Sequence, residues 1–305
     1  MPPGTPPRGP NILRHIGYSV AAPGAGADMY EGRPRITTRT KNLQGGVCYP
    51  KSLEGRMEAI VVDYEKDQGL ARYINQIEQY ANTVFHQMKL AGRAPKFEDL
   101  LGIIARKIFA DFPYSYRMLD KRYREAAYPS GGKVHLGRIM EKQDMICRHM
   151  ALLFGSTLEH LRDKNNPHMR IRSDTDVRYV ADTQYDPLEN DTSGHGYVVV
   201  KRFDGGHARY FVVDPTAGRS YDIRDLFKPS AREKSPGVYR YLFSVIRVVF
   251  QDNDVRDDAF KHWLTRLRKG DAQIQRLLAD AENAYVRSGD LEGIRNIRGY
   301  LAKGV

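Results

Sequence analysis

Cysteine, tryptophan and long apolar runs are scarce in this chain. Its 305 residues include two cysteines and one tryptophan. Two thiols, Cys48 and Cys147, are too few for a disulfide scaffold or a four-cysteine zinc site. No apolar run approaches the ~20 residues that a membrane-spanning helix needs, so no membrane insertion is expected. The opening, Met1-Pro2-Pro3-Gly4-Thr5-Pro6-Pro7-Arg8, has no apolar segment of the kind a secretory signal carries. The expected location is the cytoplasm, or another cell reached by a route that needs no signal peptide. Nine histidines are present, but no two are four residues apart. His149 and His160 share a predicted helix face three turns apart, so neither a metal nor another cofactor is expected.

What is present is a globular composition, 41% hydrophobic and 28% charged. A chain of this length buries roughly 75% of its unfolded surface. Lysine and arginine number 48 against 37 acidic residues, a net charge of +11. A basic balance favours nucleic acid or anionic membranes as partners. Here the charge is spread along the chain, which reads as a solvated surface. The segment Lys261–Lys269 is basic and contains Trp263, but Phe260, Trp263, Leu264 and Leu267 recur at helical spacing, the mark of a core stripe.

Residues 1–55 read as a disordered Pro/Gly-rich leader with too little apolar area to offset the entropy of ordering. Residues 56–250 read as a catalytic domain and 251–305 as a helical extension. A long amphipathic helix is predicted from Leu70 to Met88, ending near Gly92 and Pro95, and a second from Phe97 to Phe112. A third opens near Asp144, with Asp144 as its N-cap, and runs to Arg162. Strands are predicted at His168–Arg172, Asp176–Ala181, Gly196–Arg202 and Ala208–Val213. Val238–Phe250 is β-rich, and the remainder is helical with breaks at Gly270 and Gly289. Helices, then strands, then helices make an α+β chain.

Three residues carry chemistry. Cys147 falls in the first turn of the third helix, where the helix dipole and the neighbouring Arg148 and His149 favour thiolate over thiol. A cysteine at a helix start is also a common inert core residue, and the strands that follow change the balance. His195 opens one strand, Asp214 closes another, and Phe203-Asp204-Gly205-Gly206-His207 between them signals a hairpin. A two-residue loop at Asp204-Gly205 puts His195 directly opposite Asp214. A turn with Gly205-Gly206 at its tip makes them diagonal neighbours on one face, and a register one residue away separates them onto opposite faces. The first two registers supply a base and the acid that orients it. Cys147 is then the nucleophile toward an amide or acyl carbonyl, and its backbone N–H is one oxyanion donor. Gln143 is the candidate for a second. His149, on the opposite side of the helix, is expected to face a partner or to cap the helix, and His207 to be solvated at the hairpin tip.

The blocks Cys147-Arg148-His149-x-Ala151-Leu152-Leu153, Gly194-His195 and Val213-Asp214-Pro215-Thr216 occur in Cys, His, Asp order. This resembles the transglutaminase-like superfamily of papain-like cysteine enzymes, over roughly residues 98–228. The resemblance implies a Cys-bearing helix packed on an antiparallel sheet that carries the His and Asp. It also implies protease, glutamine deamidase, transglutaminase or peptide:N-glycanase chemistry on a protein or peptide substrate. Tyr197, two after the histidine, fits the family pattern. Met145 stands where the family often has glycine, and no tryptophan precedes Cys147, which argues for hydrolysis over cross-linking. A Pro/Gly-rich leader without a signal peptide suits a bacterial effector, and an ordinary intracellular enzyme fits as well. The rival expectations are a catalytically silent adaptor of the same fold and a basic nucleic-acid-binding module.

Overall fold

The computed structural model describes residues 29–30, 32–37, 39–48, 59–119, 121–128, 133–164, 169, 171–183, 194–228, 236–252 and 254–303. The chain is α+β, and a four-stranded antiparallel sheet organises it. Its strands are β6 (Asp176–Thr183), β7 (Gly194–Asp204), β8 (His207–Asp214) and β9 (Arg219–Asp222), paired in sequence order. Before it come β1 (Met29–Tyr30), β2 (Arg33–Pro34), β3 (Val47–Cys48), β4 (Ala59–Val61) and β5 (Lys133–His135). The last three form a small second sheet in which β4 and β5 run parallel.

Alternation along the strands explains the layering. On β7, Val198 and Val200 face one core together with Phe211 and Val213 of β8. Tyr197, Val199 and Phe203 face a second core together with Tyr210 and Val212. A sheet buried on both faces accounts for the unbroken Val198-Val199-Val200 run.

Four helices contribute to the first core: α1 (Gln68–Leu90), α2 (Phe97–Asp111), α4 (Leu136–Glu141) and α5 (Cys147–Asp163). A short α3 (Lys121–Ala127) lies between α2 and α4. The Asp67 carboxylate caps α1 by accepting the Leu70 N–H at 3.1 Å. Leu70, Tyr73, Ile74, Ile77, Ala81 and Phe85 then make its buried stripe. The same carboxylate accepts the Gly137 N–H at 2.7 Å, tying α1 to α4. The second core is closed by α6 (Pro236–Asp252), α7 (Asp258–Gly270), α8 (Ala272–Ser288) and α9 (Leu291–Lys303). No helix among the described residues is long and apolar enough to cross a membrane.

Several expectations need correction. The β-rich Val238–Phe250 is helix α6, within which the boundary drawn at residue 250 falls. Its buried Tyr239, Leu242, Phe243, Ile246, Val249 and Phe250 recur at three and four. Seventeen residues with one apolar side meet the sheet face as a helix, and that packing overrides the β preference of valine and isoleucine. In the predicted strand His168–Arg172, His168 and Arg170 lie outside the described residues, and Met169, Ile171 and Arg172 form no strand.

The leader expected through residue 55 also fails in part. Residues 1–28 and 49–55 lie outside the described residues, but Ile36, Leu43, Val47 and Cys48 are buried. Arg33 pairs with Asp63 at 3.0 Å. Glu159 of α5 holds the Leu43 N–H with both carboxylate oxygens, 2.9 Å each. Leu43 is held by α5, a helix more than a hundred residues away, and Val47 packs with Ala59 and Val61; a local reading does not contain these contacts.

Burial pushes the Glu159 carboxyl up to about 8, outweighing the Leu43 N–H and the Arg162 charge, which pull it down. The folded protein thus keeps a proton that the unfolded chain releases near the ordinary glutamate value, ~4.3. Protons are bound more tightly in the folded state, so stability is expected to fall as pH rises across that window. Glu159→Gln should flatten the slope, read as urea midpoints of both proteins across the same pH range.

Candidate active site

Helix α5 begins at Cys147, with Ile146 as its N-cap residue. Isoleucine has no capping oxygen. His149 serves from the third helical position instead, its Nδ1 3.2 Å from the Ile146 nitrogen and 3.0 Å from the Asp144 carbonyl oxygen. His149 is fully buried, so of its two expected places, facing a partner or capping the helix, it has the second. Asp144 is not the cap. Its buried carboxylate accepts from Ser115 Oγ (3.3 Å), Arg117 Nη2 (3.2 Å), Tyr123 Oη (2.7 Å) and Tyr128 Oη (3.1 Å). These four donors pin the chain after α2, and α3, against the start of α5. The sequence window around Asp144 holds none of them, so helix-start chemistry alone suggested a cap.

Two glycines, Gly205 (φ 58°) and Gly206 (φ 83°), make the hairpin turn, with Asp204 paired to His207. This is the register in which His195 and Asp214 are diagonal neighbours on one face. His195 Nε2 lies 2.8 Å from Asp214 Oδ2. The Asp214 carboxylate is saturated. Oδ1 accepts the Thr216 N–H (3.0 Å) and hydroxyl (2.5 Å), and Oδ2 also accepts the Tyr241 hydroxyl at 3.0 Å. Asp-Pro-Thr closes a 3-10 turn on its own aspartate, so the end of β8 fixes the carboxylate before histidine meets it.

The sulfur completes the row. Cys147 hydrogen-bonds the His195 side chain and accepts the Gly196 N–H. Because Nε2 is committed to Asp214, Nδ1 is the ring nitrogen left for sulfur. Gly196 makes the approach possible, since a Cβ there would lie 2.8 Å from Arg148 Cα and 3.0 Å from its nitrogen. A side chain at 196 would hold the strand off the helix start.

The electrostatics agree with the geometry. Burial pushes the Cys147 thiol up, but the His195 hydrogen bond and charge, the Gly196 N–H and Arg148 bring it below the ordinary thiol value. Burial opposes a charged His195, but the hydrogen bonds and charges of Asp214 and Cys147 outweigh it and raise the ring to about 9. Burial likewise works against ionised Asp214, and its bonds from His195, Thr216 and Tyr241 keep it below the ordinary carboxylate value. Each group thus favours the charged form of the other, thiolate beside imidazolium.

Two tyrosines at the site escape local pattern reading. Tyr114, just beyond α2, hydrogen-bonds the sulfur. Its phenol is pushed up to about 12 by burial and by the sulfur's charge and hydrogen bond, so it stays a donor. Tyr241 lies on α6, in the segment read as strand. Its ring meets Tyr197 edge-on at 5.3 Å, and Tyr197 lies 5.7 Å from the His195 ring. The Phe112-Pro113-Tyr114 break after α2 is the only sequence cue for Tyr114, and Tyr241 has none.

Gln143, the expected second oxyanion donor, sits exposed at a left-handed backbone (φ 55°) and makes no side-chain hydrogen bond to the described residues. His207 is exposed at the hairpin end. Cys48 is buried in β3. Among the described residues no group of three His, Cys, Asp or Glu is placed to hold a metal ion. No protein-family model, curated protein or solved structure matches this chain.

Proposed function

We propose that the chain is a thiol-dependent amide or acyl hydrolase or transferase acting on a protein or peptide, of the transglutaminase-like, papain-like kind. The single observation behind this reading is the unbroken hydrogen-bonded row from Cys147 through His195 to Asp214 at a helix N-terminus. The thiolate adds to the substrate carbonyl, forming a carbon–sulfur bond while the carbonyl electron pair moves to oxygen. The backbone N–H of Cys147, at the positive end of the α5 dipole, is the donor this reading assigns to that oxyanion. His195 gives its proton to the leaving nitrogen, the carbon–nitrogen bond breaks, and an acyl-thioester remains. Neutral His195 then takes a proton from water or an amine that attacks the thioester. Asp214 keeps the ring oriented and stabilises its charged form throughout.

Tyr114 and Gly196 donate to sulfur while it carries charge. Both lose that role when sulfur becomes a neutral thioester, so their pull favours the resting thiolate over the acylated state. No tryptophan precedes Cys147, and water is the acceptor this reading favours.

The test is the thiol itself. Iodoacetamide should alkylate Cys147 much faster than buried Cys48 below neutral pH, and similar rates would leave the silent adaptor as the better account. Intact-mass analysis of candidate protein substrates then separates the activities. Conversion of amide to acid marks a deamidase, chain cleavage a protease, and a covalent adduct with loss of ammonia a transglutaminase.

A further inference from the structure

His195 stands at one end of the β7–β8 hairpin. The Gly205-Gly206 turn forms the other end, about 30 Å away at ~3.3 Å per strand residue. Beside that turn opens a cavity of about 690 Å³ whose lining includes Arg224, Arg256, Arg266, His207, His262 and Asp258. Three arginines thus face one carboxylate, and Asp258 is itself largely exposed and paired with Lys261 at 3.5 Å.

Each guanidinium is held differently. Arg224 follows β9, and its Nε and Nη2 are buried without a hydrogen-bond partner among the described residues. Arg256 sits over the Phe203 ring, 3.5 Å from its centroid, and pairs with Asp254 at 2.8 Å. That stacking and pairing fix its plane. Arg266 is exposed on α7, four residues after His262, so the two stand on one helix face. Buried guanidinium nitrogens without acceptors cost free energy, and Arg224 recovers it by turning its fork toward an oxyanion in the cavity. A guanidinium fork matches phosphate oxygens bidentately.

Trp263, the aromatic residue of this basic segment, is turned away. Its ring packs on Phe260 at 5.1 Å and Phe227 at 6.1 Å. Arg256 covers Phe203. Nucleic-acid strands use exposed rings as stacking platforms, and the aromatic rings nearest this cavity are occupied. Its volume falls in the range of small-molecule sites.

We propose that this cavity binds a small molecule bearing two or more phosphate groups. Arg224 and Arg256 grip the anion from the sheet side, and Arg266 with His262 closes on it from α7. The proposal is independent of the activity assigned to Cys147.

The experiment is calorimetric titration of the full chain with sodium pyrophosphate at constant ionic strength. Saturable binding is expected, weakened at least about tenfold by Arg224→Gln and by Arg266→Gln. The alkylation rate of Cys147 should stay unchanged in both variants. Arg266 is exposed, so its variant still reads the site if Arg224→Gln fails to fold. Heat matched by sodium chloride, or binding equally strong in a folded variant, would overturn the proposal. So would tight binding of a single-stranded oligonucleotide that pyrophosphate does not displace.

Discussion

His195→Ala is expected to abolish turnover, a loss on the order of 10⁴-fold in kcat/KM. The side chain performs three tasks that no neighbour shares. In the proposed mechanism it charges the sulfur through the Cys147 hydrogen bond, gives its proton to the leaving nitrogen, and takes one from the attacking water or amine in deacylation. Removing the ring leaves burial as the largest influence on Cys147, and burial favours thiol. Alkylation at neutral pH should therefore slow together with turnover. His207→Ala, at the far end of the same hairpin, should stay within severalfold of the unaltered protein. Equal rates in the two variants would remove His195 from the mechanism.

The pH profile follows from the same pair. The proposed mechanism needs sulfur without its proton and imidazole with one. Activity should rise as the thiol ionises below its ordinary range and fall as His195 deprotonates near 9. The two limbs belong to the coupled pair and not to either group alone. A profile that keeps rising through pH 9 would mean that neutral imidazole, not imidazolium, is the working form.

Gly196→Ala carries the second large effect. The new methyl group would meet Arg148 Cα at 2.8 Å and Arg148 nitrogen at 3.0 Å, and both are backbone that no rotamer change can move aside. Strand and helix start must separate. Overpacking of this kind costs about 1–3 kcal/mol. A displacement near 1 Å between sulfur and imidazole costs roughly 10²-fold in rate. Both the melting temperature and kcat/KM should drop. Gly299→Ala on α9, with open space at the same atom, should leave kcat/KM unchanged and raise the melting temperature slightly, since alanine is the better helix former. A Gly196→Ala protein with full activity would show that the close approach is not needed.

Local chemistry accounts for the parts of the site that were legible beforehand. Periodic apolar residues define α1, α2 and α5, because one buried stripe is enough to specify a helix. Gly205 and Gly206 define the turn, because both hold positive φ that other residues resist. Asp214 advertises itself through the proline and threonine that follow. Cys147 is recognisable from its place in the first turn of a helix. The hairpin admitted three registers, and turn residues alone did not choose among them.

Long-range packing supplied the rest. The valine-rich stretch after residue 236 is helical because the second face of the sheet needs a cover with one apolar side, and a strand offers no such stripe. Asp144 left its expected capping place because Ser115, Arg117, Tyr123 and Tyr128 converge on it from elsewhere in the chain. Tyr114 and Tyr241 reach the site from elements 33 and 27 residues from Cys147 and Asp214. By itself the sequence determined α1, α2, α5 and the hairpin turn, and singled out Cys147, His195 and Asp214 as candidates, since these depend on neighbours a few residues away. Only the tertiary structure decided the register, the donors around the sulfur and the fate of the early segment, because those depend on surfaces that meet after distant parts of the chain have packed.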